Sequence, residues 1–96
     1  MQRFRQDFAA QLPARLQEAQ QLLAACRAAP ADGDRLRELH RCIHKLAGSA
    51  GTFGMRDVSE QAREIEDALD VLSAQEGRDA AAFDRVGVLM EAVSAK

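Results

Sequence analysis

The sequence has no tryptophan, no tyrosine and only two prolines. It is rich in alanine, leucine, arginine, glutamate and glutamine, and no segment alternates apolar and polar residues as a half-buried strand does. This composition indicates helices. No apolar run approaches the roughly 18 residues that span a bilayer, and the N-terminal MQRFRQDF lacks the continuous apolar stretch of a signal peptide. We therefore expect a cytoplasmic protein without a membrane segment.

The chain also lacks a large excess of charge of either sign. Its formal net charge is −2, so it has no positive field to collect the phosphates of nucleic acid, and nucleic acid is not an expected ligand. The two cysteines, Cys26 and Cys42, fall inside helical patterns and do not have the spacing of metal ligands. We expect two reduced, largely buried thiols, as in other cytosolic proteins.

Apolar residues recur at helical spacing in four segments, at about residues 3–28, 34–52, 57–74 and 79–94. The connections between them are short, which favours an all-α, up-down-up-down antiparallel four-helix bundle. With 96 residues, 47% of them apolar, the chain can form one small core, and we expect residues 1–96 to be a single domain. Four helices can close a core unaided, so a monomer is expected.

Polar residues near the ends of these segments predict how the helices begin. Asp34 and Asp79 are the predicted N-caps of the second and fourth helices. Asp57 and Glu60 have the spacing of a capping box at the start of the third helix. Pro13 interrupts the hydrogen-bond ladder of the first segment, which predicts a kink or a fresh helix start at that point.

Three aromatic residues and one glycine predict how the ends of the bundle are packed. Phe4 and Phe8 are expected in the core or as an apolar cap over one end of the bundle. Phe53 follows the second helix and should fold back onto the core. Gly54 suits the left-handed backbone conformation that closes a helix.

The second helix carries a histidine that should reach solvent. At 100° per residue, the apolar positions of this helix form one narrow, core-facing stripe. Its members are Leu36, Leu39, Ile43, Leu46 and Ala50. His44 points well away from this stripe. Its neighbours on the outer face are Arg37, His40, Arg41, Gly48 and Gly51.

The two glycines beside His44 need a physical reason, because each costs about 1 kcal/mol relative to alanine inside a helix. A helical side chain covers the turn that precedes its own Cα, so a side chain at position 48 would lean over His44. Glycine at this position leaves the imidazole open to a partner. His40 lies between His44 and the apolar stripe, where we expect it to pack at the helix boundary. Ser49 is expected to donate to a backbone carbonyl one turn earlier.

The segment HKLAGSAGTFG, from His44 to Gly54, resembles the signature of histidine phosphotransfer (HPt) domains. That signature runs histidine, any residue, leucine, lysine, glycine, serine or alanine, alanine, glycine. The matching positions here are His44, Leu46, Gly48, Ser49, Ala50 and Gly51. One position departs from it, because Ala47 stands where the family has lysine, and Lys45 or Arg41 would have to supply the positive charge.

The resemblance implies a phosphorelay carrier that accepts a phosphoryl group on His44 from a receiver-domain aspartate or a kinase and passes it to another receiver. Arg37, Arg41 and Lys45 would stabilise the transferred group. Glu66 would bond and orient the imidazole, with the small Ala62 one turn before it on the third helix. The magnesium ion would come from the receiver. The sequence has no phosphate-binding loop of its own, so no ATP-dependent enzyme activity is expected.

Two other interpretations remain open at this point. His40 and His44 are one turn apart, the spacing at which two helical imidazoles can share a zinc ion, although no third ligand is evident. Alternatively, the bundle binds a receiver or kinase without accepting a phosphoryl group, an interpretation that only Ala47 favours.

Overall fold

The computed structural model describes the backbone of residues 2–94 and the side chains of residues 8–93. Four α-helices follow one another along the chain: α1 (Gln2–Ala28), α2 (Gly33–Thr52), α3 (Arg56–Ala74) and α4 (Asp84–Ser94). A 3₁₀ turn, Ala80–Phe83, precedes α4. The described residues contain no strand, which confirms the predicted all-α class.

The four helices pack in a ring in which each contacts the helix before it and the helix after it. The main contacts join α1 to α2, α2 to α3, α3 to α4, and α4 back to α1. This is the arrangement of an up-down-up-down bundle, in which short connections bring consecutive helices side by side. None of the described helices is long and apolar enough to cross a membrane.

The apolar stripe predicted for α2 forms the centre of the core. Leu39, Ile43 and Ala50 are fully buried, and they pack with the buried faces of the other three helices. Phe8 is buried as predicted, and its ring stacks on that of Phe53 with 5.3 Å between the ring centroids. The prediction for the Phe4 side chain lies outside the described residues. Gly54 has the expected left-handed conformation, with φ of 78°.

Two of the predicted helix caps are wrong. The N-cap of α2 is Asp32, whose carboxylate accepts from the backbone N–H groups of Asp34 and Arg35. The helix starts at Gly33, two residues closer to the preceding turn than predicted. The third helix begins after Met55, which provides no side-chain cap, so Asp57 lies inside the first turn and forms no capping box. Its charge still complements the positive end of the helix dipole.

The Pro13 and Asp79 predictions have mixed outcomes. Helix α1 is continuous through Pro13, so no new helix starts there. Asp79 is an N-cap, and its carboxylate accepts from the N–H of Ala82. The element it caps is the 3₁₀ turn, and the α-helical geometry of the last segment begins only at Asp84.

Both cysteines are free thiols. Cys26 is buried and Cys42 is half-buried. Burial raises the pKa of both thiols above the usual cysteine value, because an apolar environment disfavours the thiolate.

Candidate functional site

His44 projects from the outer surface of α2, with 72% of its side chain exposed. The residues immediately around it along the core stripe, Ile43 and Leu46, are both buried. The core therefore fixes the rotation of α2 and turns the imidazole toward solvent. This placement follows directly from the helical period of the sequence.

One nitrogen of the His44 ring is held by α3. Nδ1 lies 2.6 Å from Oε2 of Glu66, whose side chain is only 19% exposed. An ionised carboxylate can only accept a hydrogen bond, so Nδ1 carries the proton. In the neutral ring Nε2 is then the nitrogen with a free lone pair. The geometry leaves a nucleophilic nitrogen on an exposed and oriented ring.

His40 joins the same cluster from one turn earlier on α2. Its Nε2 lies 2.8 Å from Oδ1 of Asp70 and 3.8 Å from Oε2 of Glu66. Its side chain is 31% exposed, so it does pack at the helix boundary, as predicted. Its carboxylate partners could not be predicted from local sequence, because Asp70 is 30 residues away along the chain.

Basic residues flank His44 on two sides of α2. Arg37 and Arg41 line the same shallow depression as the two histidines, whereas Lys45 lines the neighbouring groove between α1 and α2, with Arg15. Arg37 forms an ion pair with Asp34. Within the described part of the chain, Arg41 and Lys45 have no such carboxylate partner. Arg41 is therefore the unpaired cation that shares a surface with His44.

The two glycines near His44 occupy different environments. A Cβ built on Gly48 would meet no atom within 4 Å, so this position faces open space. A Cβ on Gly51 would lie 3.4 Å from Oγ of Ser59 on α3. Gly48 thus keeps the approach to the outer face clear, and Gly51 lies where α2 and α3 run close together.

Small residues line the contact between α2 and α3 beneath the site. Ala47, at the position of the family lysine, is only 3% exposed, and its carbonyl accepts a 2.9 Å hydrogen bond from the buried hydroxyl of Ser59. Ala62, one turn before Glu66, is fully buried. The side chain at position 47 is therefore part of the core and does not lie on the exposed face that carries His44.

The role expected for Ser49 belongs to other residues. Among the described residues its hydroxyl has no hydrogen-bond partner, and the side chain that bonds the preceding turn is Thr52, which donates to the carbonyl of Gly48. On α3, the Ser73 hydroxyl donates to the Leu69 carbonyl, and the buried Ser59 hydroxyl donates across to α2. The position of Ser59 matters more for the site, because its hydrogen bond joins the two helices. Its importance depends on the distance between two helices, which local sequence does not encode.

The structure does not add a third ligand to His40 and His44 for a metal site among the described residues. In the portion of the chain that the structure describes, no group of three or more histidine, cysteine, aspartate or glutamate side chains is placed to hold a metal ion. The two imidazoles instead bond different carboxylates on α3.

A family model described as the Hpt domain matches residues 3–96, which is nearly the whole chain. No curated protein and no solved structure matches it.

Proposed function

Because the chain belongs to the Hpt domain family, whose members serve as phosphotransfer modules in two-component phosphorelays, we propose that His44 is its phosphoacceptor. In this proposal, His44 accepts a phosphoryl group from a receiver-domain aspartyl phosphate, or from a kinase, and passes it to a second receiver. The observation that supports it best is the exposed ring whose Nδ1 is bonded to Glu66, which leaves Nε2 available for attack.

The transfer is a displacement at phosphorus. The lone pair of Nε2 forms the N–P bond, the bond between phosphorus and the aspartyl oxygen breaks, and its electrons return to the carboxylate of the donor. The ring acquires positive charge as the N–P bond forms. Glu66 stabilises that charge through the hydrogen bond to Nδ1–H, and it prevents the ring from rotating away from the line of attack.

Positive side chains and open space around His44 also support the proposal. The transferred group carries close to two negative charges, and among the described residues Arg41 is the cation in the His44 depression that forms no ion pair. Arg37 lines the same depression, and Lys45 lies in the neighbouring groove. The Cβ position of Gly48 is open, so the surface of a receiver can approach His44 closely. Phosphoryl transfer depends mainly on such positioning and charge neutralisation.

The rest of the chemistry is assigned to the partner. In our proposal the receiver supplies the magnesium ion and the acidic pocket, and residues 1–96 act as one monomeric carrier without an ATP site of their own. A cytoplasmic location follows from this role, since receiver domains and kinases would have to reach His44. The exposed surface around His44 is the proposed receiver-binding site, and no nucleic acid or membrane contact is part of the proposal.

A radiolabel transfer experiment tests the proposal. The protein is incubated with a phosphorylated receiver and Mg²⁺, beside a His44→Gln variant whose amide can still bond Glu66. We expect acid-labile, base-stable label on the unmodified protein only. Binding of the receiver without label on either protein would indicate a docking module that transfers nothing. Label on both proteins would show that the acceptor is another residue.

A further inference from the structure

His40 contacts two carboxylates on α3, and the proposed transfer assigns it no role. Its Nε2 lies 2.8 Å from Oδ1 of Asp70 and 3.8 Å from Oε2 of Glu66, the same oxygen that bonds His44. An ionised carboxylate can only accept a hydrogen bond, so Nε2 of His40 carries a proton and donates a hydrogen bond to Asp70. The positive end of this N–H group therefore lies between two negative charges.

We infer that His40 is a positioning residue for phosphotransfer, which holds Glu66 toward His44 and thereby keeps Nε2 of His44 free and correctly aimed. This inference rests on the proposed function, because it concerns the presentation of the same nucleophile. His40 itself takes no part in the N–P bond.

The need for such a residue follows from the charges on α3. Glu66 and Asp70 are four residues apart on one helix, a spacing at which like charges destabilise each other. Glutamate also has three rotatable side-chain bonds, so an unsupported Glu66 could turn toward solvent. Among the described residues, His44 and His40 are the polar groups within ion-pair distance of the Glu66 carboxylate. Arg37 and Arg41, which line the same depression, form no ion pair with it.

The consequence for His44 is a choice between its two neutral tautomers. With Glu66 in place, the proton is held on Nδ1 and the lone pair on Nε2. If Glu66 turned away, the proton would be free to move to Nε2, and the exposed nitrogen would no longer be a nucleophile. A group that accepts a hydrogen bond from the second nitrogen of an imidazole fixes the tautomer in this way, and here that group is Glu66.

The test compares His40→Leu with His40→Gln. Leucine fills the half-buried position but cannot donate a hydrogen bond, whereas the amide nitrogen of glutamine occupies about the place of Nε2 and can donate to Asp70. Nitrogen-15 NMR of the unphosphorylated proteins reports the tautomer of His44 without any transfer reaction. Rates of transfer from a phosphorylated receiver, measured over a range of receiver concentrations, separate the maximal rate from half-saturation. Thermal melting checks that both variants are folded.

We expect His40→Leu to lose the predominance of the Nδ1–H tautomer of His44 and to lower the maximal transfer rate about fivefold, the factor that corresponds to losing ~1 kcal/mol of electrostatic support for Glu66. Half-saturation should change little, and His40→Gln should restore both readouts. A folded His40→Leu variant with an unchanged tautomer would overturn the inference, whatever its rate. So would a His40→Gln variant as impaired as His40→Leu. If the unmodified protein accepts no phosphoryl group, the proposed function fails, and the NMR comparison still decides the role of His40.

Discussion

Replacing Gly48 with leucine should make the protein more stable and, at the same time, a poorer phosphoryl acceptor. The position lies inside α2, and a Cβ there meets no atom within 4 Å. The Cβ of a leucine therefore enters without a clash, and leucine removes most of the helix penalty of glycine, which is about 0.8–1 kcal/mol relative to alanine. For a domain of this size, such a gain raises the melting temperature by roughly 4–8 °C.

The effect on transfer has the opposite sign. A leucine side chain at position 48 leans over the preceding turn of the helix, which carries His44. It would prevent the receiver's aspartyl phosphate from reaching the distance and alignment that in-line transfer requires. Misplacement by about 1 Å costs on the order of 10²-fold in rate. Gly48→Ala, with a single methyl group, should give at least the same gain in stability and a smaller loss of transfer.

The measurements are thermal melting and single-turnover transfer from a phosphorylated receiver, on Gly48→Leu, Gly48→Ala and a control. Glu64→Leu is a suitable control, since it adds a leucine to the depression between α3 and α4 and leaves the surface around His44 unchanged. A destabilised protein cannot explain slow transfer in a variant that melts at a higher temperature. If Gly48→Leu is more stable and transfers at the unmodified rate, a side chain at position 48 does not block the receiver, and our explanation of Gly48 is refuted.

Three further predictions concern the supporting residues. Glu66→Leu should slow transfer by about the factor of a charge-assisted hydrogen bond, roughly 10- to 100-fold, and Glu66→Gln should retain more of the rate in the same assay; equal rates for both variants would contradict an orienting role. Ser59→Ala removes the buried hydrogen bond to Ala47 and should lower the free energy of unfolding by about 1 kcal/mol in urea titrations. An unchanged free energy of unfolding would show that this hydrogen bond does not stabilise the contact between α2 and α3. Because burial raises both thiol pKa values, iodoacetamide at pH 8 should modify Cys42 more slowly than a free cysteine and buried Cys26 more slowly still, as mass spectrometry would show; Cys26 reacting first would contradict the packing.

The features that the sequence predicted well depend on the helical period and on the residues that end a helix. The stripe from Leu36 to Ala50 determined which face of α2 is buried, and it placed His44 on the opposite face without any knowledge of the other helices. The positive φ of Gly54 and the contact of Phe53 with the core follow from the same local pattern, because a helix that must end before a short connection needs both.

The errors arise where two equally plausible local signals compete. Asp32 and Asp34 are both good N-caps, and the choice between them depends on whether Gly33 joins the helix. The capping box predicted for Asp57 and Glu60 would require the helix to begin two residues later than it does. Helix starts are decided by the length of the connection and the packing of the helix, and these are properties of the whole bundle.

The site was only partly accessible from sequence because its contacts join two helices. Glu66 could be selected through the resemblance to a known family, but the bond from His40 to Asp70 was missed. Its two ends are 30 residues apart, and only the rotation of α3 against α2 brings them together. The bond expected from Ser49 was wrong as well. The hydroxyls that bond α2 carbonyls are those of Thr52 in the same helix and Ser59 on the next helix, and the second of these depends on the packing of α3 against α2.

The most direct test of the central claim is the identity of the atom that receives the phosphoryl group. Protein labelled with nitrogen-15 in its histidines is phosphorylated by a receiver, and NMR coupling between phosphorus and nitrogen identifies the bonded nitrogen. We predict coupling to Nε2 of His44, with the proton retained on Nδ1 beside Glu66. A phosphoryl group on Nδ1 of His44, or on His40, would contradict it.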